Sequence, residues 1–277
     1  MMRKVLFFLL LSGMAIGSWY AWQHAGNFHQ IAQSYLPVSE FLTLEIRHSA
    51  DDIMQTHKAE FIKGPNYAFL EPKLLFCPYL LMEVKYSKGY GSTGEGALLW
   101  GLTDGEMVIH TATWEKTHGF EDCLTAKVDK NDFKIIEALA ANGGAIEREK
   151  MYSLFNVDQG VIDNWVESCR NKKLIASNGN KFRLHLDKPL LKTEPITLLD
   201  CPLVTLPTKN VQKIHGMYSE SQIKKFAQIA FGQEFAIRRS QQVFLPVYSI
   251  SIQNPDGSIL TTYWNALNGK PLEGFRK

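Results

Sequence analysis

Two stretches decide how this chain reads: Phe76-Cys77-Pro78-Tyr79-Leu80-Leu81-Met82-Glu83-Val84 and Phe244-Leu245-Pro246-Val247-Tyr248-Ser249-Ile250-Ser251-Ile252. Each sets Phe-x-Pro ahead of a run rich in β-branched and aromatic residues, the composition of a strand. The second alternates well enough for a half-buried antiparallel strand. A turn follows each, Gly-rich over Ser87–Gly96 in the first and Asn254-Pro255-Asp256-Gly257 in the second. Asp-Gly between two such runs is a strong hairpin signal. Next comes a strand that ends in tryptophan, Ala97-Leu98-Leu99-Trp100 and Leu260-Thr261-Thr262-Tyr263-Trp264. Both close on a polar glycine turn, Thr103-Asp104-Gly105-Glu106 and Leu267-Asn268-Gly269-Lys270.

Working outward, each strand pair is preceded by a helix start. Ser49-Ala50-Asp51-Asp52-Ile53 and Ser219-Glu220-Ser221-Gln222-Ile223 both place a capping serine ahead of acid in the first turn. Ile223, Phe226, Ala227, Ala230 and Phe231 then form an apolar helical face suited to packing across the hairpin that follows. Helix, Phe-x-Pro strand, turn, Trp strand and glycine turn recur in one order, so residues 49–128 and 191–277 read as degenerate copies of an α–β–β unit. The second copy resembles the PepSY family, whose units lay a helix on an antiparallel sheet and end in an Asp-Ala-x-Thr-Gly-Lys-like turn. Here that turn is Asn265-Ala266-Leu267-Asn268-Gly269-Lys270, with Asn265 in place of Asp and Asn268 in place of Thr. The resemblance implies an extracytoplasmic, non-catalytic module with no catalytic residue to carry over.

Residues 129–190 read differently. Phe133, Ile136 and Ala140 mark one helix, stopped by Asn142-Gly143-Gly144, and a second short helix spans Glu147 to Phe155. A third, capped by Asp158, carries Ile162, Trp165, Val166 and Cys169 at i, i+3, i+4, i+7. Leu174 to Leu186, broken by Asn178-Gly179, makes a hairpin. Three short helices and a hairpin resemble a winged helix. A DNA-binding one would set the outward side of its third helix against phosphates, yet here that side holds Asp158, Asp163 and Glu167. Ten basic against eight acidic residues between 130 and 188 add no general attraction. The small basic cluster Lys172, Lys173, Lys181 and Arg183 is the candidate interaction surface, and a protein is the expected partner.

At the N-terminus, Arg3 and Lys4 precede an uncharged apolar run from Val5 to Trp22 closed by Trp19, Tyr20 and Trp22. It is just long enough to cross a bilayer as a helix, and its flanks orient the N-terminus to the cytoplasm and the body outside. Cleavage as a signal peptide near Ala15-Ile16-Gly17 is the rival reading. Residues 1–25 are thus expected to form a transmembrane anchor or leader, and 26–48, with Pro37, a linker. With 277 residues, 45% hydrophobic, and a mean hydropathy of −0.15, the chain is neither disordered nor a polytopic membrane protein. Its net charge of +2 offers no general case for nucleic acid.

Candidate chemistry is sparse. Gly89-Tyr90-Gly91-Ser92-Thr93-Gly94 matches G-x-G-x-x-G, but strand-like runs flank it on both sides, so it reads as a hairpin loop and not a nucleotide turn. The segment Thr113 to Cys123 is dense in polar and reactive types, and His110, His118 and Cys123 could be assembled into a metal site or a Cys–His pair. Neither has the paired spacing of zinc sites or a family signature, and Trp114 and Phe120 read as anchors. Cys77–Cys123 could form a disulfide, Cys169 reads as a buried thiol, and fully reduced cysteines are the alternative. No cofactor, metal or catalytic set is expected. The chain reads as an α+β protein with a transmembrane helix, two PepSY-like units and an intervening winged helix. The expected role is an anchored extracytoplasmic binding or regulatory protein with an envelope or membrane partner. The alternatives are a membrane-tethered DNA-binding regulator and an envelope thiol hydrolase built on Cys123 and His118.

Overall fold

The computed structural model describes residues 39–89, 91–209, 211–272, 274 and 275. The run over residues 5–22 lies outside them, and among the described residues no helix is long and apolar enough to cross a membrane. The chain divides into two compact units. Of the described residues, one holds 39 and 40 with 207–209; in it, the Thr208 N–H donates to the Ser39 carbonyl at 2.8 Å. The other comprises residues 41–206 with 210–277 and holds the core and the site described below.

In chain order the elements begin with β1 (Glu40–Leu44), α1 (Ala50–Thr56), α2 (Lys58–Phe61), β2 (Ala68–Phe69), β3 (Lys73–Gly89) and β4 (Ser92–Gly101). They continue with β5 (Met107–His110), β6 (Glu115–Lys116), α3 (Phe120–Thr125), α4 (Lys130–Ala141), β7 (Ala145–Glu147), α5 (Arg148–Ser153) and α6 (Gln159–Asn171). After β8 (Ile175–Asn178), β9 (Lys181–Leu184), β10 (Leu203–Pro207) and β11 (Gln212–Lys213) come α7 (Glu220–Phe231), β12 (Ala236–Gln253) and β13 (Ile259–Asn265). Among the described residues, 26% are helix and 37% strand, so the fold is mixed α+β.

The long strands β3 and β12 form the centre of the large sheet, paired antiparallel from Ala236 opposite Lys85 to Pro246 opposite Phe76. The two Phe-x-Pro motifs lie across from one another: Phe244 faces Pro78, Pro246 faces Phe76, and Cys77 faces Leu245 between them. About that point the two hairpins correspond bond for bond. Leu80 pairs with Trp100 as Tyr248 pairs with Trp264. The Leu102 N–H donates to the Pro78 carbonyl at 3.1 Å, and the Ala266 N–H to that of Pro246 at 3.0 Å. Each glycine turn is closed likewise, Gly101 N–H to the Glu106 carbonyl and Asn265 N–H to that of Lys270, both at 2.9 Å. The turns need a left-handed residue in the same place, met by Gly105 at φ 68° and Gly269 at φ 70°. Prolines are tolerated inside these strands although neither can donate to a ladder, a position more usual at edges.

The helices depart from the expected arrangement. Both start with a capping box, Ser49 with Asp52 and Ser219 with Gln222. Yet each covers the hairpin that the other helix precedes. Ile53 of α1 and Phe61 of α2 pack with Ile250, Ile252 and Trp264. Ile223, Phe226 and Ala227 of α7 join Leu98 and Trp100 instead of their own hairpin. The chain enters each helix tied to the opposite turn, with His48 N–H donating to the Ala266 carbonyl and Tyr218 N–H to that of Leu102, both at 2.9 Å. Those bonds direct each helix across the centre, which sequence-local amphipathicity cannot reveal.

Residues 40–44, expected within a linker, form strand β1 instead, parallel to β12 with Thr43 beside Phe244. Polar neighbours masked this short strand, which is held by the Phe41 ring at 5.0 Å from Phe76 and 5.3 Å from Phe244. Alternate residues of β3 serve two cores, as the strand period requires. Leu80, Met82 and Val84 face the cluster that contains α3, α4 and α7; Cys77, Tyr79 and Leu81 face the other side with Leu99, Val243 and Leu245.

In the middle third, α4, α5 and α6 precede the β8–β9 hairpin, and β7 adds a third strand in the order β7-β9-β8. Asp129 caps α4 and Asp158 caps α6, while Ile162, Val166 and Cys169 are buried. This segment has no core of its own. Its apolar residues run continuously into those of the β3–β4 hairpin through Phe133, 6.2 Å from Phe120 and 5.8 Å from Phe226.

Candidate binding cleft

On the face of the sheet away from the helices, both glycine turns border one cleft of about 520 Å³, lined also by Trp114, Thr117 and His118 on one side and by Pro271, Leu272 and Phe275 on another. The turns arrive there because each hairpin ends at the same register beside its Phe-x-Pro strand. Tyr79 lines the cleft opposite Gly101, with its ring 5.5 Å from that of Trp114 and nearly perpendicular. Burial pushes the Tyr79 hydroxyl well above the ordinary phenol range.

The two hairpins differ at the residue after the tryptophan. Gly101 leaves room for Asp104, whose Oδ1 lies 2.0 Å from where a Cβ would stand. Asp104 turns inward, accepting from the Glu106 N–H at 3.2 Å and from Lys116 Nζ at 2.6 Å. The equivalent residue in the second copy is Asn265, fully buried, whose Oδ1 accepts from the Leu267 N–H at 2.8 Å. Its Nδ2 has no hydrogen-bond partner. Trp114 stands at φ 59°, an uncommon backbone for a bulky residue, and its indole N–H is likewise buried without a partner. It approaches the Tyr79 hydroxyl without completing a hydrogen bond of normal geometry. Among the described residues these are the two unpartnered buried side-chain polar atoms, and both belong to cleft-lining side chains. Neither is an oxygen.

Glu106, 8% exposed, lines the cleft together with Asp104 and Glu121. Its carboxylate accepts from the Thr117 hydroxyl at 2.6 Å and from the N–H groups of Gly119 and Glu121 at 2.9 and 3.0 Å. Burial nevertheless dominates and raises its pKa to about 7, against the pull of those donors.

The structure separates the reactive types of this region. His110 sits in β5, its Nδ1 accepting from the Ala112 N–H at 3.0 Å. His118 is exposed on the cleft, whereas Cys123 is fully buried in the helix-side core, where burial pushes its thiol above the ordinary range. Among the described residues no group of three or more His, Cys, Asp or Glu is placed to hold a metal. All four cysteines are free: Cys77 and Cys123 lie in separate cores and are not joined. Gly89 and Ser92 pair across the tip of the β3–β4 hairpin, so the G-x-G-x-x-G stretch opens no helix.

The basic cluster is also divided. Lys172 Nζ binds the buried Asp132 carboxylate and donates to the Lys127 carbonyl at 3.2 Å. Burial alone would raise the Asp132 pKa; the Lys172 ammonium and the Asp129 N–H outweigh it and hold the carboxyl below its usual range. Lys173, Lys181 and Arg183 are all exposed, and Lys181 pairs with Glu147 at 3.3 Å. Lys172→Met keeps the aliphatic stem and strips the ammonium from a buried partner. It is expected to cost roughly 2 kcal/mol at neutral pH, reduced from the fully buried case because Lys172 is partly exposed. The depressed Asp132 pKa gives stability present above the unfolded Asp value and lost as pH falls. The deficit of the variant should therefore shrink in acid, which urea titrations at pH 7 and at about pH 2.5 would reveal.

Sequence reading directed attention to residues 113–123 but treated Trp114 as a packing anchor, since an unpaired indole N–H leaves no mark in the sequence. For Asn265 a signal existed: it stands where the PepSY-like turn has Asp. Compared with protein-family models, with curated proteins and with solved structures, the chain has no match.

Proposed function

We propose that this is a membrane-anchored extracytoplasmic protein that works by binding a partner protein, without catalysis or cofactor. Two PepSY-like α–β–β units bracket a winged-helix-like segment in this reading, and residues 5–22 hold the chain in the membrane with the body outside. The observation that carries it is the convergence of two matched glycine turns on one cleft containing unpartnered buried donors, a feature that calls for an external group. The burial of Cys123 argues against the thiol-hydrolase alternative. The surroundings of α6 favour protein over DNA as a partner of the middle segment. Leu154, Val157 and Val161 are exposed at its start, and Asp158 and Asp163 stand among them, an apolar and acidic surface that phosphates do not attract.

Topology is tested by fusing reporters after Lys277. Activity of a reporter that works only outside the cytoplasm is expected; activity of one that works only inside would overturn the placement and revive the DNA-binding alternative. The partner is sought by crosslinking in intact membranes followed by capture of the full chain.

A further inference from the structure

We infer that the α5–α6 turn and the start of α6 form a docking surface for an amphipathic helix of a partner protein, one whose apolar face is edged by lysine or arginine. This rests on the protein-binding reading above and names a surface apart from the cleft, with the chemistry of the segment it takes.

The surface holds apolar side chains that the core does not use. Ile162, Val166 and Cys169 form the inward face of α6 and are buried. Val161 stands one residue before Ile162, about 100° round the helix, and cannot share that face. It is left 40% exposed. A β-branched residue at an exposed helical position carries a propensity cost and gains no burial in return. Leu154, at the end of α5, and Val157, just ahead of the Asp158 cap, are 46% and 44% exposed. Trp165 lies one turn beyond Val161 on the same side and is half-buried, its ring 5.9 Å from that of Phe155 and nearly perpendicular. That ring contact fixes the turn against the helix, so the five side chains belong to one surface. Val161 and Trp165 are four residues apart, the ridge spacing by which one helix seats in the groove of another, and Val157 precedes Val161 by the same interval. An exposed apolar patch rimmed by polar groups marks a contact surface.

The rim selects the occupant. From Met151 to Cys169 the chain carries Asp158, Asp163 and Glu167 and no lysine or arginine. Glu167 is answered by Arg170 at 2.7 Å. Asp158 accepts from the Gly160 N–H at 2.8 Å and Asp163 from the Tyr152 hydroxyl at 2.6 Å, yet neither has an ion-pair partner among the described residues. The neighbouring cations are placed otherwise: Arg148 reaches the Tyr152 hydroxyl and lies over Phe182 at 5.4 Å, and Lys134 lies over Trp165 at 5.4 Å. A second copy is a poor occupant, because a two-fold contact would bring the same acidic rim to both sides. An anionic membrane surface is repelled on the same ground. A helix with an apolar face and basic edges answers both the ridge and the two carboxylates that lack a counter-charge.

The test is fluorescence anisotropy of a dye-labelled peptide titrated with the full chain in phosphatidylcholine nanodiscs, with empty nanodiscs as the baseline. The probe is a Leu/Lys peptide about four turns long with its leucines at helical spacing. Its comparisons are the Leu/Glu analogue and a Leu/Lys peptide of the same composition in scrambled order. Saturable binding of the patterned Leu/Lys peptide alone is expected, weakening as salt is raised. Leu154→Gln combined with Val161→Gln should weaken it at least tenfold. Asp158→Asn combined with Asp163→Asn should weaken it about fivefold and flatten the salt dependence, while asparagine keeps the helix cap and the acceptor for Tyr152. All four positions are exposed, so the variants should keep the wild-type circular dichroism. No binding by wild type at submillimolar peptide overturns the inference. So does equal affinity for either comparison peptide, or unchanged affinity in either double variant. Copies that crosslink in wild type and not in Leu154→Gln with Val161→Gln would assign the patch to a second copy. Quenching of Trp165 fluorescence by brominated phosphatidylcholine, lost in Trp165→Phe, would assign it to the bilayer. If one double variant fails to fold, the other and the three wild-type titrations decide. The wider reading fails separately: Leu/Lys binding with an intracellular reporter result would leave this surface standing and remove the extracytoplasmic placement. A partner crosslinked equally by wild type and both double variants, with no peptide binding, would do the reverse.

Discussion

Replacing Phe120 by alanine is expected to destabilise the protein by about 4 kcal/mol, the range for emptying an aromatic site in a closed core. Phe120 opens α3 and is fully buried. Its ring stacks on Trp100 at 5.3 Å and 16°, and meets Phe226 edge-on at 5.3 Å. Phe133 and Phe231 complete its surroundings at 6.2 and 6.5 Å. One side chain therefore joins the β3–β4 hairpin, the helix α7 from the other copy and the first helix of the middle segment. The loss has two parts, the transfer of the ring to water and a cavity that these aromatics cannot collapse to fill. Denaturant unfolding of the full chain, followed by circular dichroism, checks it. A change below 1 kcal/mol would mean that the three elements are not held by this contact. Phe120→Leu, which fills part of the space, should recover a substantial share.

Glu106→Gln should act in the opposite direction and only above acid pH. The folded-state pKa of Glu106 is raised to about 7 from 4.5, so the folded protein holds a proton that the unfolded chain releases between those values. Its contribution is fully present below about pH 4.5 and is lost as pH rises through 7. A shift of this size corresponds to about 3 kcal/mol at pH 8 and above. Glutamine can keep the Gly119 and Glu121 N–H bonds on its oxygen and turn its amide toward Thr117. The variant is expected to match wild type near pH 4.5 and to exceed its stability at pH 8 by up to about 3 kcal/mol. Paired denaturation curves across pH 4.5–8.5 measure the divergence. A variant less stable than wild type at pH 8 would show that the three donors, and not burial, control this carboxyl.

The strand and turn chemistry of both hairpins was legible because it is local. Phe-x-Pro, the closing tryptophan and the glycine turns each impose backbone conformation over a few residues, and Asp256-Gly257 leaves little choice but a hairpin. The crossing of the helices was not legible. The faces of α1 and α7 are amphipathic whichever hairpin they meet, and the bonds that choose between hairpins, His48 to Ala266 and Tyr218 to Leu102, join residues far apart in sequence. Strand β1 was hidden for a related reason: its worth comes from Phe76 and Phe244, distant in sequence, and its own neighbours are polar. At the site, the sequence pointed to a neighbourhood rich in His, Cys and carboxylates. Folding buried Cys123 and left Trp114 and Asn265, neither of them titratable, as the groups with unused capacity.

The exchange of helices between the two hairpins has a consequence for how the chain is made. Ile53 finds Ile250 and Trp264 only after nearly the whole chain has been synthesised. At ordinary translation rates α1 would wait roughly 10–40 s for its surface. During that interval the β3–β4 hairpin, Trp100 included, would have no α7 to cover it. Neither half is a folding unit by itself. A ribosome stalled before α7 therefore holds a chain with two uncovered apolar surfaces, the species that chaperones hold and proteases remove.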